Sequence, residues 1–250
     1  MARLIYALNA RRRAIIKEKL VPVGGTQNAD TLGSRLLENF AMTEVDFFCP
    51  PRRLVENMHE ENFSVLEEAR RRFKKVVAVT AHIGNWELGM SYLVSKGYPM
   101  AGVYALYREE KVVRWIMSHR DPHVEWIPAA RGAFANCLET LERGRMLAMV
   151  ADIPFGERGR RVNLCGARTH LPLGPWAIAS RARAAVVPAF ILREKPGQYV
   201  IRFQDPILPQ EGSFRKQIEQ MQDVYLLQLE KYIKTYPEQW GVLQPFWEPV

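Results

Sequence analysis

Long apolar runs are missing from this chain. No stretch of its 250 residues approaches the ~20 apolar residues that cross a bilayer as a helix. The N-terminus has no signal-peptide core either, so the mature protein is expected to be soluble or peripheral. Cysteine is scarce: Cys49, Cys137 and Cys165 are odd in number and widely spaced, which gives neither a disulfide framework nor a zinc site and suits a reducing compartment such as the cytoplasm. His119 and His123 stand four apart, but Pro122 breaks the helix that would align them, so no metal is expected. Internal repeats and low-complexity tracts are absent. Acid is short as well, 27 Asp and Glu against 35 Lys and Arg, for a net charge of +8. Clusters at Arg11 to Arg13, Arg70 to Lys75 and Arg158 to Arg161 point toward anionic partners, an anionic membrane surface among them, although each cluster alone also reads as a solvated helix face. No helix-turn-helix, zinc-finger or aromatic RNA-binding pattern accompanies the cations, so nucleic acid is not expected as a partner.

What is present reads as an α/β chain, and 48% hydrophobic content suits one domain with a helical N-terminal arm. A basic amphipathic pattern over residues 1–20 carries Leu4, Ile5, Leu8, Ile15, Ile16 and Leu20; it suits a membrane surface or packing on the core. Pro22, Gly24 and Gly25 close it. Helical patterns follow through Leu32 to Phe40 and over 63–73. Strands and helices then alternate: strand 76–81, helix 86–95, strand 101–106, helix 109–119, strand 124–127, helix 132–143 and strand 145–151. Such alternation predicts a largely parallel sheet flanked by helices. A long loop is expected over 153–173, then a helix at 175–183, strands at 185–192 and 199–203, and a final helix capped by Ser213 and stopped by Pro237.

The stretch Val76-Val-Ala-Val-Thr-Ala-His-Ile-Gly-Asn-Trp-Glu87 places two ionisable groups where a buried strand turns into a helix. Gly84 permits the turn, Asn85 is a good N-cap, and Glu87 falls in the first helical turn, where the macrodipole favours a carboxylate. Ligands bind at such strand ends in α/β sheets. His82 and Glu87 therefore read as a general-base pair, the carboxylate fixing the tautomer of the imidazole. They also read as a strand-end histidine and a helix-capping acid.

His82-Ile-Gly-Asn-Trp-Glu87 resembles the His-x4-Asp/Glu signature, in its His-Phe-Gly-Asn-Trp-Glu form, of the bacterial lipid A biosynthesis acyltransferases within the glycerolipid acyltransferases. Thr169-His-Leu-Pro-Leu-Gly-Pro-Trp-Ala-Ile-Ala179, Val186-Val-Pro-Ala-Phe190 and Tyr236-Pro-Glu-Gln-Trp240 are similar to further family blocks, so the resemblance covers residues 60–240. It implies a glycerolipid acyltransferase-like fold, with an arm over 1–59 and an acyltransferase domain over 60–250. It also implies catalysis by His82 and Glu87 without a bound cofactor. Substrate contacts are expected from Arg108 and Arg120 as cations for a phosphate or oxyanion, from Asp152 at a strand end, and from Gly174 at a helix start. Asp152 reads equally as a loop-capping residue. The implied donor is a thioester of acyl-carrier protein, or acyl-CoA, and the acceptor a hydroxyl of a glycolipid or lysolipid.

The chain departs from the family pattern in several places. It has Ile153 where the family usually has Gln, and Leu164-Cys165-Gly166 for Phe-Phe-Gly. The N-terminal anchor and the Trp- and Arg-rich tail of family members are not read here, so the expectation is a peripheral protein on the inner face of the cytoplasmic membrane. The competing reading is a non-catalytic peripheral protein that binds anionic lipid through its basic surface. The acyl groove is expected between the helix carrying Trp86, Leu88 and Met90 and the loop with Leu164 and Leu171.

Overall fold

The computed structural model describes residues 9–106, 109–154 and 159–248. Two helices open it. Helix α1 (Ala10–Gly24) is capped by the Asn9 side chain on the Arg12 amide at 2.9 Å, and α2 (Ala29–Asp46) follows after a short 3-10 turn. Ile16 and Leu20 of α1 are buried against Leu36 and Leu37 of α2. Of the two roles open to the basic amphipathic pattern, these side chains take the packed one; Leu4, Ile5 and Leu8 lie outside the described residues.

Seven strands form the main sheet: β1 (Met58–Glu61), β2 (Val76–Thr80), β3 (Met100–Tyr104), β4 (Glu125–Pro128), β5 (Met146–Val150), β8 (Ala185–Lys195) and β9 (Gln198–Phe203). Their spatial order is β1-β9-β8-β2-β5-β3-β4. Only the β8–β9 pair is antiparallel, so the sheet is mixed and mostly parallel. Helices α3 (Pro51–Val55), α4 (Phe63–Phe73), α5 (Leu88–Ser95), α6 (Glu110–His119), α7 (Ala133–Glu142), α8 (Gly174–Ala182) and α9 (Phe214–Thr235) fill the connections. Central strand β2 explains its own composition: alternate residues enter the two cores on either face, Val77 and Val79 joining Leu147, Trp176 and Tyr225, and Val76 joining Leu66, Tyr92 and Tyr199. A strand covered on both faces has no use for a polar side chain. Helix α9 begins as expected, the Ser213 hydroxyl accepting from the Lys216 amide at 3.4 Å.

The expected loop over 153–173 is in part a hairpin. Strands β6 (Arg160–Leu164) and β7 (Ala167–Leu171) pair antiparallel. Between them Cys165 and Gly166 both take positive φ, 53° and 80°, as a two-residue hairpin turn requires. Val162, Leu164, Thr169 and Leu171 face inward. Leu164 and Leu171 are thus core residues, in the cluster on one face of the sheet, whereas Met90 packs on the cluster of the other face. The acyl groove expected between them is ruled out by the sheet that separates them. Among the described residues no helix is long and apolar enough to cross a membrane.

Candidate active site

The register of two neighbouring strands builds the site. Strands β2 and β5 run parallel with Thr80 opposite Val150, and the Ala151 amide donates to the Thr80 carbonyl at 2.9 Å. Two residues further, His82 and Asp152 leave the same edge of the sheet side by side. Asp152 Oδ1 lies 2.7 Å from His82 Nδ1, and Asp152 Oδ2 accepts from the His82 amide at 3.0 Å. A third donor, the Trp240 indole N–H, reaches Oδ2 at 3.0 Å. The carboxylate is fully buried, 0% exposed, while the His82 side chain is 26% exposed. An imidazole that donates from Nδ1 to a carboxylate leaves Nε2 as the acceptor, which is the arrangement of a general base with its orienting acid.

Electrostatics support that reading. Burial works against the imidazolium of His82, but the charge and hydrogen bond of Asp152, with Glu87 adding to them, outweigh it and hold the pKa above 6.5. Burial likewise disfavours the Asp152 anion. The His82 charge and three hydrogen bonds prevail, and the carboxyl titrates below its ordinary value.

Glu87 does not hold the imidazole, contrary to the expectation from its place in the motif. The helix starts later than expected, at Leu88, with Glu87 as its N-cap residue, and the Glu87 carboxylate points to Arg120. Arg120 grips it with two parallel bonds, Nη2 to Oε1 at 2.6 Å and Nε to Oε2 at 3.1 Å. The guanidinium also lies 4.1 Å from the centre of the Trp126 ring. Its third nitrogen, Nη1, is buried and meets no hydrogen-bond partner among the described residues. Asn85, the expected cap, instead donates to Asp46 at 3.1 Å.

Trp86 stands edge-on to the His82 ring at 4.6 Å and, with Glu87 and Arg120, lines two cavities. The larger, about 220 Å³, mixes Glu44, Asn85 and His119 with Trp115 and Trp126. The smaller, about 50 Å³, is mostly apolar, walled by Met90, Leu93, Val103 and Ile191 besides Glu87 and Arg120. Leu88 faces the larger one.

A strap from the C-terminal segment closes the site from behind. The Gly241 amide donates to the His82 carbonyl at 2.7 Å and the Gly84 amide to the Gln239 carbonyl at 2.9 Å. Gly84 is required there: its φ is +63°, and a Cβ would lie 2.0 Å from the Ile191 carbonyl oxygen. Beyond the strap, Lys19 of α1 is 1% exposed and donates to the carbonyls of Trp240 and Val242, each at 2.7 Å.

The residues picked from the sequence are therefore sorted by the fold. His82, Glu87 and Arg120 cluster at one edge. Asp152, expected against substrate or as a loop cap, is shielded behind His82 and bonds to its imidazole and amide instead. Gly174 opens α8 and is exposed, but it is not among the residues lining the two cavities. Arg108 lies outside the described residues. Trp240 and Lys19 were not legible as site residues: one lies in a block that only resembles the family, the other in the basic amphipathic pattern over 1–20, which suits a membrane surface or packing on the core.

Known proteins place these observations. A phosphatidylinositol mannoside acyltransferase of Mycolicibacterium smegmatis is 25% identical over 199 residues, covering 78% of this chain and 64% of that protein. The Mycobacterium tuberculosis protein of the same name is 23% identical over 175 residues, 68% of this chain and 54% of its own length. The chain thus spans less than two thirds of these relatives. Among solved structures, a 1-acyl-sn-glycerophosphate acyltransferase from Thermotoga maritima superposes at a TM-score of 0.42 with 13% identity, covering 94% of this chain and 99% of that one. The model of the bacterial lipid A biosynthesis acyltransferases matches residues 3–248, nearly the whole chain, and the protein belongs to that family.

Proposed function

We propose that the protein transfers an acyl group from a thioester to a hydroxyl of a glycolipid or lysolipid, with His82 as general base and Asp152 as its orienting acid. The observation that carries this is the 2.7 Å contact between His82 Nδ1 and a buried carboxylate, which leaves Nε2 to the substrate. Nε2 takes the proton of the acceptor hydroxyl as its oxygen attacks the thioester carbonyl. The C–S bond then breaks, and the imidazolium returns the proton to the departing thiolate. Arg120, held by Glu87 with one nitrogen unpaired among the described residues, is suited to the negative charge of the tetrahedral intermediate or of a substrate phosphate. Arg108 and the amides at Gly174 are further candidates for that role.

The donor is an acyl-carrier protein thioester or acyl-CoA. The names of the mycobacterial relatives favour a phosphorylated glycolipid acceptor, and the apolar cavity beside Met90 is the start of an acyl groove. Such a substrate is met at a membrane, so the protein works on the inner face of the cytoplasmic membrane. The test is thiol release from acyl-carrier protein and acyl-CoA thioesters with glycolipid and lysolipid acceptors, the product being weighed by mass spectrometry. Acylated acceptor from one donor is the expected result. Folded protein that binds acceptor vesicles yet releases no thiol from either donor contradicts the proposal.

A further inference from the structure

A lysine in the interior of a protein is costly unless its charge is partnered, and Lys19 sits deep beneath the site. Its ammonium is held by two main-chain carbonyls at 2.7 Å and lies 4.4 Å from the centre of the Trp240 ring. Its own carbonyl accepts from the Trp247 indole at 2.9 Å, so both ends of the residue are tied to the C-terminal segment. That segment is the strap whose Trp240 indole meets Asp152 and whose Gly241 amide meets the His82 carbonyl.

The chemistry sets a requirement that Lys19 meets. A general base works from its neutral form, and when His82 is neutral the buried Asp152 loses the imidazolium as counter-charge. Hydrogen bonds from the His82 amide, the imidazole and the indole remain. Among the described residues, the ionisable groups that act on His82 are Asp152 after β5, Glu87 before α5 and Lys19 from α1; the Tyr225 phenol of α9 also feels Asp152 and is neutral. Of these, Lys19 alone has a basic side chain. We propose that Lys19 is a positioning residue of the site: it pins Trp240 so that the indole meets Asp152, and its charge balances that carboxylate while His82 is neutral. The helical arm is thereby made part of the base. Burial pulls the Lys19 pKa well down and Asp152 opposes this, while the carbonyl pair and the ring face favour the charged form.

The inference rests on His82 acting as the base, and its test does not need turnover. In a histidine NMR titration of the whole chain, Lys19→Met is expected to raise the His82 midpoint by about half to one pH unit, because a cation that disfavours imidazolium is gone. Lys19→Arg should leave it within a few tenths. Where turnover is measurable, Lys19→Met should lower kcat/KM about three- to tenfold on the acid limb and much less on the alkaline plateau. An unmoved midpoint, with or without a uniform fall in rate, overturns the proposal and leaves Lys19 a structural residue. Should Lys19→Met fail to fold, titration of the Lys19 ammonium in the unaltered protein decides. A charged Lys19 at about pH 7 is required, and a neutral one overturns the proposal. Failure of acyl transfer itself would leave the His82 shift intact, so the two claims are separable.

Discussion

Arg120 is the residue in which geometry and chemistry are most tightly joined. Two of its nitrogens form a fork on Glu87 and the third is buried without a hydrogen-bond partner among the described residues. A buried unpaired donor costs about 1–3 kcal/mol, a cost that a substrate oxygen would remove. Lysine keeps the charge but has neither the fork nor the flat face that stacks on Trp126. Arg120→Lys is therefore expected to lower kcat/KM tenfold or more and to lower the melting temperature, whereas full activity in this variant would show that only the charge matters. His82, Glu87, Arg120 and Asp152 were all visible in the sequence, but not that His82 pairs with Asp152 and Glu87 with Arg120. A spacing of five residues says nothing about which strand lies beside β2, and the register that pairs His82 with Asp152 spans β3, β4 and the helices between them.

At the scale of elements, the strands were legible wherever burial on both faces forces a β-branched run, as in Val76 to Val79, and α9 wherever cap, period and proline agree. Hairpin β6–β7 was not: Arg161, Asn163, Arg168 and His170 do alternate with its inward residues, but each strand is only 5 residues long and lies among Pro154, Gly156, Gly159 and Gly166, which read as a loop. Strand β1, Met-His-Glu-Glu, gave no signal because an edge strand needs few apolar residues. These misreadings bear on where the acyl chain runs. Met90→Ala enlarges the apolar cavity and should shift preference toward longer acyl chains, each extra buried methylene being worth ~0.8 kcal/mol. Leu164→Ala should instead cost about 2–5 kcal/mol of stability, as for a buried leucine, with chain-length preference unchanged. Competition assays with mixed thioesters and thermal melts separate the two, and a longer-chain preference in Leu164→Ala would reverse the assignment.

For the whole molecule, the governing quantity is a net charge of +8 with a sequence pI near 9.5. Adhesion to anionic membranes should then rest on exposed Lys and Arg and weaken between ~0.1 and 1 M salt, as the screening length shortens. Vesicle sedimentation checks this, and retention at high salt until detergent is added would mean that apolar insertion dominates. The His82–Asp152 pair is read most directly in the pH dependence of thioester turnover. Because Asp152 holds the His82 pKa above its ordinary value, the unaltered protein should gain activity only as pH rises beyond the usual imidazole range. Asp152→Asn removes the largest influence favouring imidazolium and leaves burial opposing it, so the acid limb should move to lower pH while the plateau rate falls ~10² to 10⁴-fold. An Asp152→Asn protein that keeps its rate and its acid limb, beside a Glu87→Gln protein that loses both, would contradict the assignment of Asp152 as the partner of the base.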